Sequence, residues 1–424
     1  MSAYVPSVLS VLTRHRDFRR LFLAELVVFG GDWFAVIPLL VLLNDLTGRG
    51  LWGSLALAAD TGVLALLLPY AGTLADRLDR RRIMVVTALA ALVAVALLLT
   101  VRSPAVAWLG PVAIGLMGAA KAFFSPAALA ALPNLVPEED LATANAIAAG
   151  AWGTMLVVGA SLGGVIASLL GAYVCFGITA ACLAMAALLV ARIRRPMQSG
   201  RPERPTPALA ALRESAGYIR RHPRVLSLVT VKSAVGIGNG VLASFPMLAL
   251  AYGVGAIGTG LLFAARGLGS LVGPLLMRRV LTRPAWLLPG LAISMATYAL
   301  AYLGVAISPW YALILLLVFV AHVAGGGNWT MSNFALQLEV PDELRGRVFA
   351  TDMMLATLAV SASLLIFGAL IDVLDLRVLI ASCASATLLY AVTWRLVTRR
   401  VDRRSPRPAG APAGYAHDPS QVSD

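Results

Sequence analysis

Eight ionisable side chains stand inside long apolar stretches of this chain: Glu25, Asp32, Asp60, Lys121, Lys232, Arg266, His322 and Asp352. In apolar surroundings such groups can form ion pairs, and carboxylates or histidine can also take up and release protons. A central Asp, Lys or Arg in a bilayer-spanning helix costs roughly 2.5–3.5 kcal/mol. The seven apart from neutral His322 would together cost on the order of 20 kcal/mol if all were central and unpaired. They persist only where they face one another or a wet cavity. The two lysines stand out, because all the other basic residues, 32 of 34, are arginines. Each group also has a plainer reading. Asp32 with Lys121, or Asp60 with Arg266, could form structural ion pairs. Glu25 could pair with Arg19 or Arg20, and Lys232 could snorkel to the surface. His322 could be a hydrogen-bonded packing residue, and Asp352 could belong to a latch at the helix ends.

Little else in the sequence suggests chemistry. Cys175, Cys182 and Cys383 lie in apolar runs, at spacings that match neither a metal site nor a disulfide framework. Gly267, Gly269 and Gly273, like Gly159 and Gly163, have close-packing spacings and follow no strand, so they mark no nucleotide site. There is no Walker motif and no nucleophile–base pair. No catalytic residue, metal or cofactor is expected.

The elements that hold these residues follow from composition. Of the 424 residues, 59% are hydrophobic and 13% charged, against about 25% charged in a soluble domain. Mean hydropathy is +0.83 over the whole length. Apolar stretches long enough to span a bilayer fall at about 20–43, 51–74, 83–101, 107–132, 143–169, 172–193, 225–250, 256–279, 285–307, 310–336, 346–370 and 376–397. The net charge of +13 would suit nucleic acid, but the arginines cluster between the apolar runs. Only Arg49, Arg102 and Arg377 fall in the odd-numbered loops. That bias orients a membrane protein, here with both termini in the cytoplasm, and argues against a nucleic-acid partner. The first apolar run is too long for a signal peptide.

A basic, Pro-rich stretch followed by ALAALRESAGYIRRHP divides six spans from six. The second part reads as an amphipathic helix on the inner membrane surface. The expected organisation is a first six-helix bundle over 1–193, a cytoplasmic linker over 194–222, a second bundle over 223–398, and a tail of disordered composition over 399–424. The halves resemble each other at an offset near 205 residues. Gly31-Asp32 matches Gly238-Asn239, Ala58-Ala59-Asp60 matches Ala264-Ala265-Arg266, and Val136-Pro137-Glu138-Glu139 matches Val340-Pro341-Asp342-Glu343. With an even number of spans per half, such repeats are parallel.

The loop after span 2 runs Gly72-Thr-Leu-Ala-Asp76-Arg77-Leu-Asp79-Arg80-Arg81-Arg82. It resembles the loop 2–3 signature of the major facilitator superfamily, departing at Asp79 where the pattern has Gly. Residues 18–33, 122–147 and 340–350 are similar to the drug:proton antiporter branch that includes macrolide and enterobactin exporters. Gly159-Ala160-Ser161-Leu162-Gly163-Gly164 resembles that branch's span 5 signature, with Ala160 in place of Pro and Met155 in place of an earlier Gly. The resemblance covers about residues 14–400.

It implies an all-α membrane protein of twelve transmembrane helices in two parallel six-helix repeats, the major facilitator fold. Gly72, Asp76, Arg77, Arg80 and Arg81 would form a cytoplasmic gate loop, with the acid near the start of span 11 at Leu344–Val348. Gly159, Gly163 and Gly164 would serve packing or gating. Spans 1, 4, 7 and 10 would line a central cavity. The expected activity is secondary active transport: proton-coupled efflux of a small amphipathic drug or secondary metabolite by alternating access. Asp32, Asp60 and His322 are the proton-coupling candidates. Trp33, Lys121, Phe123, Phe124, Lys232, Arg266 and Trp329 are the substrate-cavity candidates. Expected partners are a small-molecule substrate, protons and the lipid bilayer of the cell membrane, with the protein a monomer. A siderophore exporter or lysophospholipid flippase is the alternative, and a membrane sensor on a transporter scaffold the remote one.

Overall fold

The computed structural model describes residues 8–198, 207–281 and 286–402. Twelve of its helices are long and apolar enough to cross a membrane. They are α1 (Arg16–Thr47), α2 (Leu51–Arg77), α3 (Arg80–Leu98), α4 (Leu109–Ala131), α5 (Glu138–Leu170) and α6 (Ala172–Ala191), then α7 (Pro223–Ala251), α8 (Gly255–Leu281), α9 (Leu287–Ile307), α10 (Tyr311–Glu339), α11 (Asp342–Leu370) and α12 (Leu376–Asp402). Each expected span coincides with one of these helical spans, and no strand occurs among the described residues. Local signals explain several ends. Gly48 closes α1 in the left-handed conformation at φ 62°. Asp79 caps α3 by accepting from the Arg82 backbone N–H at 2.9 Å, which accounts for an acid where the loop signature has Gly. Glu138, Glu139 and Asp140 fill the first turn of α5, where the helix dipole favours negative charge.

The α7 span is not one continuous helix. A helical turn from Lys232 to Gly238 passes into six residues of 3-10 helix, Asn239–Ser244, before Phe245–Ala251 resumes the α form. Backbone groups at this break are taken up by neighbours: the Ser363 hydroxyl donates to the Ile237 carbonyl and accepts from the Gly240 N–H.

Packing repeats as the sequence does. In the first half α1 lies on α5 and α6, α4 on α2 and α3, and α3 on α6. In the second, α7 lies on α11 and α12, α10 on α8 and α9, and α9 on α12. The halves meet along two related seams, α2 with α11 and α5 with α8. Both seams depend on small residues. A Cβ on Gly260 would lie 2.5 Å from the Ala160 carbonyl oxygen, and one on Gly164 would lie 2.6 Å from that of Ala256. On the other seam, Ser361 donates to the Ala58 carbonyl at 2.9 Å, and Asp372 accepts from the Gly50 N–H at 2.7 Å. Most of these contacts lie toward the end opposite the chain termini.

At the terminal end a helix over Ala208–Arg221 packs against the bundle. Ser215 bonds Thr351 at 2.6 Å, and Glu214 pairs with Arg347 at 2.5 Å. These bonds turn one face of the helix to α11.

Gly260→Val is expected to lower the melting temperature in detergent, with an overpacking cost of about 1–3 kcal/mol. Gly150→Ala, where an added Cβ meets nothing within 4 Å, should leave it unchanged.

Candidate functional site

Halfway along α1, Asp32 points toward α4, and Lys121 reaches back to it. The Lys121 Nζ lies 2.8 Å from Asp32 Oδ2 and 2.7 Å from Asp60 Oδ1 on α2. One ammonium is thus shared by two carboxylates from three helices. All three side chains are largely buried, at 13%, 10% and 20% exposure for Lys121, Asp32 and Asp60. Gly118, one turn before Lys121, makes the approach possible. A Cβ there would stand 2.6 Å from the Asp60 carbonyl oxygen, so only glycine lets α4 come this close to α2.

The Asp32 Oδ1 atom is buried and accepts no hydrogen bond among the described residues. Asp32 and Lys121 border a cavity of about 20 Å³, together with Thr87, Met117, Phe124 and Leu183. That is room for one water beside the carboxylate.

Next to Asp32, Trp33 turns toward the second half. Its ring meets Phe263 of α8 at 5.6 Å, and Phe263 in turn meets Phe245 of α7 edge-on at 5.0 Å. The Arg266 guanidinium lies 6.0 Å from the Trp33 ring centre. Its charge acts on Asp60 in one half and on Tyr298, Tyr302 and His322 in the other. The Asp32–Asp60–Lys121 triad carries a net charge of −1 when fully ionised, and Arg266 balances it. Gly159 brings α5 against the Gly30 backbone and the Trp33 Cβ, Gly163 brings it against the Trp33 backbone, and Gly164 brings the same helix against α8.

The remaining candidates sit elsewhere. His322 is buried between α9 and α10, its Nε2 2.9 Å from the Tyr302 hydroxyl and its ring edge-on to Tyr298. Tyr298 donates to Asn239 Oδ1 at 3.2 Å. Lys232 and Asp352, each 1% exposed, form an ion pair inside the second half. Lys232 also donates to Asn333 at 2.7 Å and lies 4.8 Å from the Trp329 ring. In this conformation, then, Lys232 neither snorkels nor borders open space. Phe124 joins the Asp32 cavity, but Phe123 turns the other way, into a groove formed with α2 and α3 beside Leu78 and Val86. Glu25 is buried, and among the described residues it forms no ion pair; Arg20 bonds Asp17 and the Arg192 carbonyl.

The expected gate loop lies partly among the described residues. Arg80 donates to the Ala130 carbonyl at 2.7 Å and to that of Met197 at 2.9 Å, and Arg81 donates to that of Arg195 at 3.2 Å. These arginines fasten the loop to the end of α4 and the start of the linker. The linker helix reaches the start of α11 through Glu214 and Arg347. Arg77 is exposed, and Gly72 has open space around it. The side chain of Asp76 lies outside the described residues.

Twelve spanning helices in two like-packed halves, with charges gathered at mid-helix beside the seam, are the architecture of a membrane transporter. The chain matches the Major Facilitator Superfamily over residues 21–291 and again over 239–420, and belongs to that family. The multidrug efflux pump Tap of Mycolicibacterium fortuitum is 26% identical over 397 residues, covering 87% of this chain and 92% of that one. The enterobactin exporter EntS of Salmonella typhimurium is 27% identical over 358 residues, covering 80% and 82%. Among solved structures, a bacterial homologue of the human lysosomal transporter Spinster has a TM-score of 0.66 at 16% identity, over 92% of this chain and 99% of that one. That likeness speaks for the fold alone.

Lys121→Met would leave two carboxylates close together without their cation, and breaking such a buried pairing costs about 3–5 kcal/mol. A marked fall in thermal stability is expected, largely restored when Asp32→Asn and Asp60→Asn are added. Equal melting of the single and triple variants would show that ion pairing does not order the site.

Proposed function

We propose that this chain is a proton-coupled exporter that moves a small amphipathic compound by alternating access. The observation that carries the reading is the single ammonium of Lys121 divided between Asp32 and Asp60 beside the seam. Two carboxylates competing for one cation form a site whose charge changes with one proton. The proton binds Asp32 at its unfilled Oδ1, and Asp32 then releases its claim on Lys121. The triad passes from −1 to neutral, and Lys121 is left to Asp60 or to an incoming substrate. Deprotonation from the other side of the membrane restores the original pairing and closes the cycle. The bundles over 1–193 and 223–398 rock about this point, with both termini in the cytoplasm, where the arginine bias puts them.

The substrate sits between Trp33, Phe263 and Arg266, on aromatic faces next to a fixed cation. Two cations at one site favour a compound with anionic character. A secreted siderophore is therefore the second reading, supported by the similarity to an enterobactin exporter.

The test is substrate movement in everted vesicles under an imposed proton gradient. Asp32→Asn protein is expected to lose gradient-driven transport at least tenfold while retaining substrate exchange in the absence of a gradient. Undiminished gradient coupling would remove Asp32 from the proton role.

A further inference from the structure

We infer that the terminal end of the first bundle holds a binding site for an anionic phospholipid headgroup with two phosphates. Two adjoining cavities, of about 440 and 540 Å³, open there. The first is bordered by Arg14, Arg16, Arg20, Arg194 and Arg195, and the second by Arg20, Arg81, Arg192 and Arg194. Arg20 and Arg194 belong to both, so the cavities form one continuous basic site with two lobes.

The one carboxylate bordering either cavity, Asp17, is already engaged. It accepts from Arg20 at 2.7 Å and from the Arg195 and Arg194 backbone N–H groups at 2.9 and 3.2 Å. Asp17 thereby holds the linker's first residues against the start of α1 and fixes the cavity walls. Among the described residues, the guanidinium groups of Arg14, Arg16, Arg192 and Arg194 make no hydrogen bond or ion pair, and the Nε atom of Arg81 is buried without an acceptor. Planar, doubly donating groups left open in this way match phosphate oxygens. Basic pockets between helices at the membrane surface recognise lipid headgroups by the same means.

The surface below the arginines distinguishes a lipid from a free anion. Leu23 on α1 and Met185 and Leu188 on α6 are exposed, all within two turns of Arg20 or Arg192 on helices that pack together. A headgroup seated among the arginines would lay its acyl chains along this wall. One phosphate in each lobe, bridged by Arg20 and Arg194, describes a diphosphatidyl lipid better than a lipid with one phosphate. Occupancy would reinforce the tie that Arg81 already makes to the start of the linker.

The full chain, purified in detergent, can be titrated with cardiolipin, phosphatidylglycerol, phosphatidylethanolamine and inorganic phosphate, with bound species counted by native mass spectrometry. Cardiolipin is expected to bind at least tenfold more tightly than phosphatidylethanolamine and more tightly than phosphatidylglycerol. Arg16→Gln with Arg194→Gln should weaken it at least fivefold. Arg102→Gln with Arg377→Gln, at the opposite end, should leave it unchanged. If the double glutamine variant fails to fold, Arg16→Lys with Arg194→Lys keeps the charge but loses the paired donors, and a smaller loss is expected. Equal binding of all three lipids, equal loss in the opposite-end variant, or displacement of cardiolipin by millimolar inorganic phosphate would overturn the proposal. Equal affinity for phosphatidylglycerol and cardiolipin would overturn its two-phosphate form.

Discussion

One ammonium placed between two carboxylates, in largely buried surroundings, constrains much of the first half. Lys121 cannot leave Asp32 and Asp60 without exposing two negative charges to each other and to hydrocarbon. Holding the three together requires α1, α2 and α4 at fixed depth. That in turn requires a bare glycine at 118 and a chain path that brings Arg266 close enough to balance the sum. Removing one member of such a cluster leaves the others unmatched.

The two halves share a scaffold but not their charges. At the repeat offset Asp60 corresponds to Arg266, Asp32 to Asn239 and Glu25 to Lys232. The first half presents carboxylates held by a lysine. The second presents an arginine at the seam, a tyrosine–histidine group behind it, and a sealed lysine–aspartate pair. Duplication explains the matching contacts, and divergence at a few positions explains why, among the described residues, the lysine shared between two acids lies in the first half.

The spans were legible because lipid demands uninterrupted apolar length, and the arginine bias checked their number. The importance of Asp32, Asp60 and Lys121 was legible for the same reason: charge in such places has to be matched. Less visible were the partners. Tyr298 and Tyr302 look like packing residues until His322 is seen against them. Gly118 is one small residue among many until the distance to Asp60 is known. Phe123 and Phe124 are adjacent in sequence, and which of them faces the cavity depends on a helix rotation that apolar periodicity does not resolve when every face is apolar. The loop arginines bond backbone carbonyls of the linker, acceptors that every residue possesses and that no residue pattern marks. Asp79 was readable as a cap, since it directly precedes a helix, but motif comparison made it look like a deviation.

The tightened stretch of α7 has a consequence for how this family member can vary. Carbonyl and amide groups at the break are taken up by Ser363 of α11, and Cys383 of α12 also donates to the Ile237 carbonyl at 3.2 Å. A regular helix would have little use for these side chains, and the break would leave polar backbone unmatched without them. Substitution at either place therefore puts selection on the other, so positions 237–244 and 363 should drift through evolution as one inherited unit.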